Sequence, residues 1–195
     1  MKRLAVILLM VLAGAALGAE PSTNRPAAWA QPVQIEGVPN LYRVTDCLYR
    51  SAQPTAEGMQ NLKQAGIRTI LDLRSFHSDR QAIGAAGLDY ENIPEKVWHP
   101  EEEDVVRFLQ TATDTNRTPV LVHCQHGADR TGTMCAVYRI AVQGWSKQEA
   151  IREMTRGGYG FHVVWQNLPH WIETLDVDAV KKDAGVKTGA EPAHH

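Results

Sequence analysis

The stretch Pro119-Val120-Leu121-Val122-His123-Cys124-Gln125-His126-Gly127-Ala128-Asp129-Arg130-Thr131-Gly132 decides how the rest of the chain is read. Its first part is an apolar trio set off by a proline, the pattern of a short buried strand. Its last part runs into Met134 to Val142, an apolar segment compatible with a helix. The loop between them must turn tightly, and Gly127 at its midpoint supplies the freedom for that turn. Strand, tight loop and helix start in that order form a nest, in which successive backbone N–H groups and the helix dipole converge on one point and favour an anion there. Cys124 stands at the mouth of it. The same field favours thiolate over thiol, so a cysteine with a free-state pKa of about 8.5 is expected to ionise near neutrality. Arg130 can fold its planar guanidinium back over the loop and make two parallel bonds to phosphate-type oxygens, which lysine cannot do. A nucleophile and a tetrahedral oxyanion cradle in one loop are what displacement at phosphorus requires.

Upstream of this loop, Tyr42-Arg43-Val44 and Leu48-Tyr49-Arg50 read as short strands. A helix follows, with Thr55 as N-cap, Gly66 as terminator, and Met59, Leu62 and Ala65 facing the sheet. Thr69 to Leu73 and Tyr90 to Ile93 read as further strands. Glu101, Glu102, Glu103 and Asp104 suit the positive end of a helix whose apolar positions Val105, Phe108, Leu109 and Ala112 keep helical spacing, so these acids start a helix rather than catalyse. Downstream, Ser146 and Glu149 form a capping box for a helix through Ile151 and Met154. Gly157-Gly158-Tyr159-Gly160-Phe161 lacks the context of a nucleotide loop and reads as a rim turn that helps wall a pocket. Val164, Leu168, Trp171, Ile172 and Leu175 share one face of a last helix, which Pro169 should kink or divide. Alternating strands and helices predict a single α/β domain, a central mostly parallel sheet flanked by helices.

Of the 195 residues 44% are apolar and 22% charged, and the formal charge of −2 carries no basic excess, so nucleic acid is not expected as a partner. Lys2 and Arg3 before the uncharged run Leu4 to Leu17, followed by small residues, are laid out as a secretory signal over residues 1–19, cleaved after Gly18 or Ala19. The run is shorter than the roughly 20 residues of a bilayer span, so no stable membrane insertion is expected after cleavage, and the destination is periplasmic or secreted. Residues 20–40 read as an extended arm, 41–180 as the domain, and 181–195 as a flexible tail. Three cysteines are too few for a disulfide scaffold or a zinc ribbon. Cys135 reads as a buried small hydrophobe and Cys47 as a core candidate. His123, Cys124 and His126 have no second cluster at zinc spacing, so neither a metal nor another cofactor is expected.

His-Cys-x5-Arg-Thr-Gly, the preceding Pro-Val-Leu-Val strand, the Leu48 to Pro54 segment and Asp72-Leu73-Arg74 together resemble the cysteine-based protein tyrosine phosphatases. The likeness is to the small dual-specificity type and extends over Leu41 to Leu175. The resemblance implies that Cys124 attacks phosphorus to give a cysteinyl-phosphate. Arg130 and the amides of Gln125, His126, Gly127, Ala128 and Asp129 would hold the equatorial oxygens, and water would then hydrolyse the intermediate. It also implies that the Thr131 hydroxyl helps the thiolate leave and that His123 orients the loop and tunes the cysteine.

The general acid departs from that pattern. Relatives carry an Asp on an upstream loop, whereas Ile93-Pro94-Glu95-Lys96-Val97-Trp98-His99-Pro100 contains none. Asp129 matches the place where the myotubularin branch holds its acid, and it is preferred over Glu95 because the loop fixes it without motion. A structural salt bridge from Asp129 to a neighbouring arginine and a solvated surface role for Glu95 stay open. His126 reads equally as a substrate contact or an exposed loop residue. No Lys or Arg occupies the variable loop positions, which favours phosphotyrosine or another aryl phosphate monoester over a polyphosphate; phosphoserine and phosphothreonine stay open. Two other readings remain: a catalytically weak phosphoester-binding module, and a thiol redox or sulfur-transfer enzyme using Cys124, against which Arg130 weighs.

Overall fold

In the computed structural model, residues 25–186 are described. The expected signal, residues 1–19, lies outside them, as does the end of the chain from residue 187 on. The described strands are β1 (Gln31–Pro32), β2 (Tyr42–Arg43), β3 (Leu48–Ser51), β4 (Thr69–Asp72), β5 (Asp89–Asn92) and β6 (Val120–His123). They form one sheet in the order β1-β2-β3-β6-β4-β5. β3, β6, β4 and β5 run parallel, and β1 and β2 add an antiparallel edge. Every residue of β4 and β6 is buried, as expected for central strands covered on both faces.

The helices are α1 (Ala56–Gln64), α2 (Arg80–Ile83), α3 (Glu102–Thr113), α4 (Asp129–Ala141), α5 (Lys147–Arg156), α6 (Asn167–Thr174) and α7 (Val177–Ala184). Thr55 caps α1 by accepting from the Gly58 amide, and Ser146 with Glu149 closes a reciprocal capping box on α5. α1 packs Met59 and Leu62 against Ile70 and Leu121 on one face of the sheet. On the other face α3 and α4 enclose Leu71, Val120 and Val122 with Val105, Phe108, Met134 and Val137. The chain leaves β3, crosses through α1 to β4, and later inserts β6 between them. The sheet order therefore switches beside β6, and the crevice at the carboxyl ends of its strands is where such folds place ligands.

The described part of the arm over 20–40 is tied to the domain: β1 pairs with β2, and Ala30 is buried with its amide donating to Glu153 Oε1 at 2.6 Å. Arg25 fastens the same segment to Ala30 O, Gly157 O and the Tyr159 hydroxyl. The tail does not begin at Lys181, because α7 runs through to Ala184 and buries Val180 against α3. The last helix does not extend back to Val164. That residue lies exposed in a 3-10 turn, Val163–Trp165, and Pro169 sits in the first turn of α6, where its missing N–H has no intrahelical partner to lose. Cys47, weighed as a core residue, is exposed at the β2–β3 turn, whereas Cys135 is buried as expected.

Candidate active site

The loop from Cys124 to Ala128 joins the carboxyl end of β6 to the start of α4, and its shape is set by donors behind it. Gln125 O accepts from the Gln53 amide at 3.3 Å, His126 O from Asn40 Nδ2 at 2.9 Å, and Gly127 O from Arg50 at 2.6 Å. Three successive carbonyls are thus drawn outward. Because C=O and N–H of a peptide unit point in opposite directions, the amides of His126, Gly127 and Ala128 turn to the inside of the loop. Gly127 has φ +68°, and a Cβ there would stand 2.4 Å from the Ser51 carbonyl, so only glycine fits this position. Arg50 is itself wholly buried, its guanidinium stacked 3.6 Å from the centre of the Tyr159 ring.

Cys124, Gln125, His126, Asp129 and Arg130 line one cavity of about 340 Å³, with Val97, His162, Val164 and Trp165 completing its walls. A larger groove of about 510 Å³ along Pro32 to Tyr42 gathers no comparable set of reactive groups. Arg130 is steadied at the cavity by donating to Leu73 O at the end of β4, 3.1 Å away. Thr131 Oγ1 is buried without a hydrogen-bond partner, so its hydroxyl is not bonded to Cys124.

Behind Cys124 lies a buried polar network. His123 Nε2 meets Asp79 Oδ2 at 2.6 Å with both side chains fully buried, and His123 Nδ1 lies 3.3 Å from Cys124 O. Asp79 also accepts from Gln53 at 2.6 Å and faces His77 at 3.1 Å. Burial opposes ionisation of Asp79, but the bonds and charge from His123 and the bonds from Gln53 and His77 outweigh it, holding its carboxyl below the ordinary value. Asp72, by contrast, is pushed up by burial. Asp72, His77 and Asp79 bring ligand-type atoms within 4.8 Å of one another, yet the two carboxylates are occupied by His123, Gln53, Tyr90 and the Arg74 amide. No orphaned donor set for a metal results.

The two acid candidates differ sharply. Asp129 meets a histidine rather than an arginine: Oδ1 accepts from the His162 amide at 2.9 Å and Oδ2 lies 2.7 Å from His162 Nδ1. Glu95 is not a solvated surface residue. It is 1% exposed and neither carboxyl oxygen has a partner. Burial raises its carboxyl well above the usual carboxylate range, the neighbouring Cys124 pushes the same way, and Arg130 pulls back only in part. A buried carboxyl whose neutral form is favoured therefore lies close to Cys124, although it does not line the cavity.

A family profile described as a dual-specificity and tyrosine phosphatase fused to NAD+ kinase matches residues 39–164. The chain belongs to this phosphatase family. It is 35% identical over 178 residues to the dual specificity protein phosphatase TpbA of Pseudomonas aeruginosa, covering 91% of this chain and 80% of that one. A crystal structure of a Cys-to-Ser variant of TpbA in complex with pTyr superposes with a TM-score of 0.74 at 34% identity, over 84% of this chain and 99% of that one. The catalytic core of the Saccharomyces cerevisiae PP-IP phosphatase Siw14 shares the fold alone, at 21% identity and a TM-score of 0.67, over 78% of this chain and 94% of that one.

Of the residues singled out in the sequence, Cys124, Gln125, His126, Asp129 and Arg130 come together at one cavity, Gly127 and Ala128 belong to the loop but do not line the cavity, His123 and Thr131 are buried, and Glu95 is close but enclosed. His162 and Trp165 were missed. Their signal was the glycine-rich turn just before them, read as helping to wall a pocket, although none of Gly157 to Phe161 lines the cavity itself. Asn40, Arg50 and Asp79 were missed as well, and for these nothing local speaks: each acts at a distance of 44 residues or more along the chain.

Proposed function

We propose that this phosphatase acts on aryl phosphate monoesters of the phosphotyrosine kind, with Cys124 as nucleophile and Arg130 with the loop amides as the phosphate cradle. The observation that carries the reading is the set of outward-tied carbonyls, which leaves three amides turned inward between Cys124 and Arg130. Such preorganised donors stabilise the charge on phosphoryl oxygens without reorganising during the reaction. The Cys124 thiolate attacks phosphorus as the ester P–O bond breaks, and water then displaces sulfur from the cysteinyl-phosphate. Val97, Val164 and Trp165 give the cavity apolar walls suited to an aromatic leaving group, and TpbA, the relative solved with pTyr, supports that choice.

The redox alternative loses support from the other thiols. Cys135 is enclosed and burial pushes its thiol up to about 11, which makes it a poor resolving group, and Cys47 lies exposed at the far end of β3 from the loop. The expected leader extends the proposal to an exported enzyme, tested by isolating the periplasmic protein and finding its N-terminus at Ala19 or Glu20. The catalytic reading predicts turnover of 4-nitrophenyl phosphate in chelator, inhibition by vanadate, and loss of both turnover and phosphoenzyme in Cys124→Ser. Turnover that survives Cys124→Ser would overturn it.

A further inference from the structure

The chemistry needs a proton on the leaving oxygen, and the residue preferred for it in the sequence does not have a free carboxyl to offer. Both oxygens of Asp129 are given to one partner, the backbone amide and the ring Nδ1 of His162. Two-point attachment of this kind fixes the ring in position and sets its tautomer. With Nδ1 held against a carboxylate, Nδ1 carries a proton and Nε2 is the nitrogen left for chemistry. Among the described residues Nε2 makes no hydrogen bond, and His162 lines the same cavity as Cys124 and Arg130; Asp129 lines it too, but is nearly buried with both oxygens engaged. Val97, on the loop where relatives carry an acid, also lines the cavity but has no proton to give. Glu95, the acid on that loop, is buried outside the cavity lining.

We propose that His162, oriented by Asp129, is the general acid of the reaction; the assignment rests on the phosphatase reading above. In the first step the sulfur–phosphorus bond forms and the P–O bond to the leaving group breaks. The electron pair of that bond stays on the leaving oxygen, which takes the proton from His162 Nε2. In the second step the neutral Nε2 accepts a proton from the attacking water as the new P–O bond forms. The sulfur–phosphorus bond then breaks with its pair returning to Cys124. Net consumption is one water, and both His162 and Cys124 end as they began. Asp129 is a positioning residue here, facing Nδ1 through both steps. The charged and titratable groups that face His162 are Asp129, the His126 ring 5.3 Å away, and, across the cavity, Arg130 and Cys124.

Leaving-group dependence tests this. General acid catalysis is worth about 10²–10⁴ in rate and matters most when the leaving group is poor. His162→Gln should lower kcat on phenyl phosphate by about 10²-fold or more, lower it far less on 2,4-dinitrophenyl phosphate, and erase the basic limb of the kcat profile. Asp129→Asn should lower kcat on phenyl phosphate with KM little changed, and Glu95→Gln should keep the basic limb. The parent needs no mutation for a second check: with a series of aryl phosphates, the dependence of kcat on leaving-group basicity should steepen above the pH of that limb. An equal loss on both substrates in His162→Gln, or a basic limb that vanishes in Glu95→Gln instead, overturns the assignment. Trapped phosphoenzyme keeps the two levels apart. If His162 fails as the acid, Cys124 still becomes labelled by the dinitrophenyl ester; if the phosphatase reading fails, no variant or parent is labelled.

Discussion

The two ends of α4 hold buried charge in opposite ways. At its carboxyl end Arg139 donates to both oxygens of Glu153, at 2.7 and 2.9 Å, and Glu153 takes further bonds from the Ala30 amide and the Tyr159 hydroxyl. The Arg139 guanidinium also donates to Gln143 and stacks 4.3 Å from the centre of the Trp145 ring. At its amino end the polar groups are left with capacity: the inward loop amides, the partnerless Thr131 hydroxyl, His162 Nε2, and a Glu95 with both oxygens open. A closed network gives its interactions to the fold, tying arm, α4, α5 and the Tyr159 turn together. An open one holds donors ready for something that is not protein, and buried atoms without partners at a native site need that kind of explanation.

The contrast predicts that substitutions at the two ends fail in different measurements. The largest effect belongs to the open end. Cys124→Ser should fold as the parent does, with an unchanged melting temperature, while steady-state turnover falls by a factor on the order of 10⁶, the scale of losing a covalent nucleophile. Next is the closed end. Glu153→Ala leaves the Arg139 guanidinium buried without its counter-charge, and breaking such a pair costs about 3–5 kcal/mol. Urea unfolding should show that loss, while kcat of the protein that remains folded stays near the parent value. A kcat collapse in Glu153→Ala at unchanged stability would erase the distinction between the ends. The Glu153 pair also has a pH signature. Burial raises the carboxyl, but the bonds and charge from Arg139 overcome this and hold it below its ordinary 4.5. The pair's stabilisation is therefore present above that ordinary value and is lost as pH falls through the lowered folded one.

A smaller, sharper test lies between the two ends, at Asp79. Its bond to His123 looks as closed as the Arg139 pair, yet His123 adjoins the nucleophile and reaches the Cys124 carbonyl. Asp79→Asn should lower kcat by about 10–100-fold, the usual cost of losing an orienting partner, with KM nearly unchanged. Alkylation of Cys124 by iodoacetate should slow as well, while labelling of the exposed Cys47 stays constant as an internal reference. If stability alone changes and both rates hold, Asp79 belongs with the closed network.

What the sequence disclosed about these regions follows from the range of the interactions. The strand, loop and helix around Cys124 were legible because their determinants are contiguous: an apolar trio, a glycine whose side chain would strike Ser51, and an arginine at fixed spacing. The caps at Thr55 and Ser146 were legible for the same reason, each being a side chain bonding an amide three residues on. Asp129 was read as the general acid or as the partner of a neighbouring arginine, and its bond to His162 was not foreseen because that partner is 33 residues downstream, just after a glycine-rich turn. The anchoring of the extended arm was not legible, because the partner that holds Ala30 beside its two-residue strand is Glu153, 123 residues away. Long-range closure of this kind has no periodicity to betray it, and a buried charge announces itself only when its partner is in view.

The smallest effect is the one that separates openness from mere imperfection. Glu95 is buried with no hydrogen bond, and burial foremost, aided by Cys124, keeps its carboxyl protonated far above the usual range. In the unfolded chain it ionises near its ordinary 4.5. Below that value it is neutral in both states and contributes no pH dependence. As pH rises between the unfolded and folded values, the unfolded state loses its proton while the folded state keeps it, so stability falls over that window. Glu95→Gln removes the ionisation and keeps the shape, so its unfolding free energy should match the parent at pH 4 and equal or exceed it at pH 7. Chemical denaturation at the two values measures this directly. A glutamine variant that is less stable than the parent at neutral pH would mean that Glu95 is held as a carboxylate by a partner, and the amino end of α4 would then be as closed as the other.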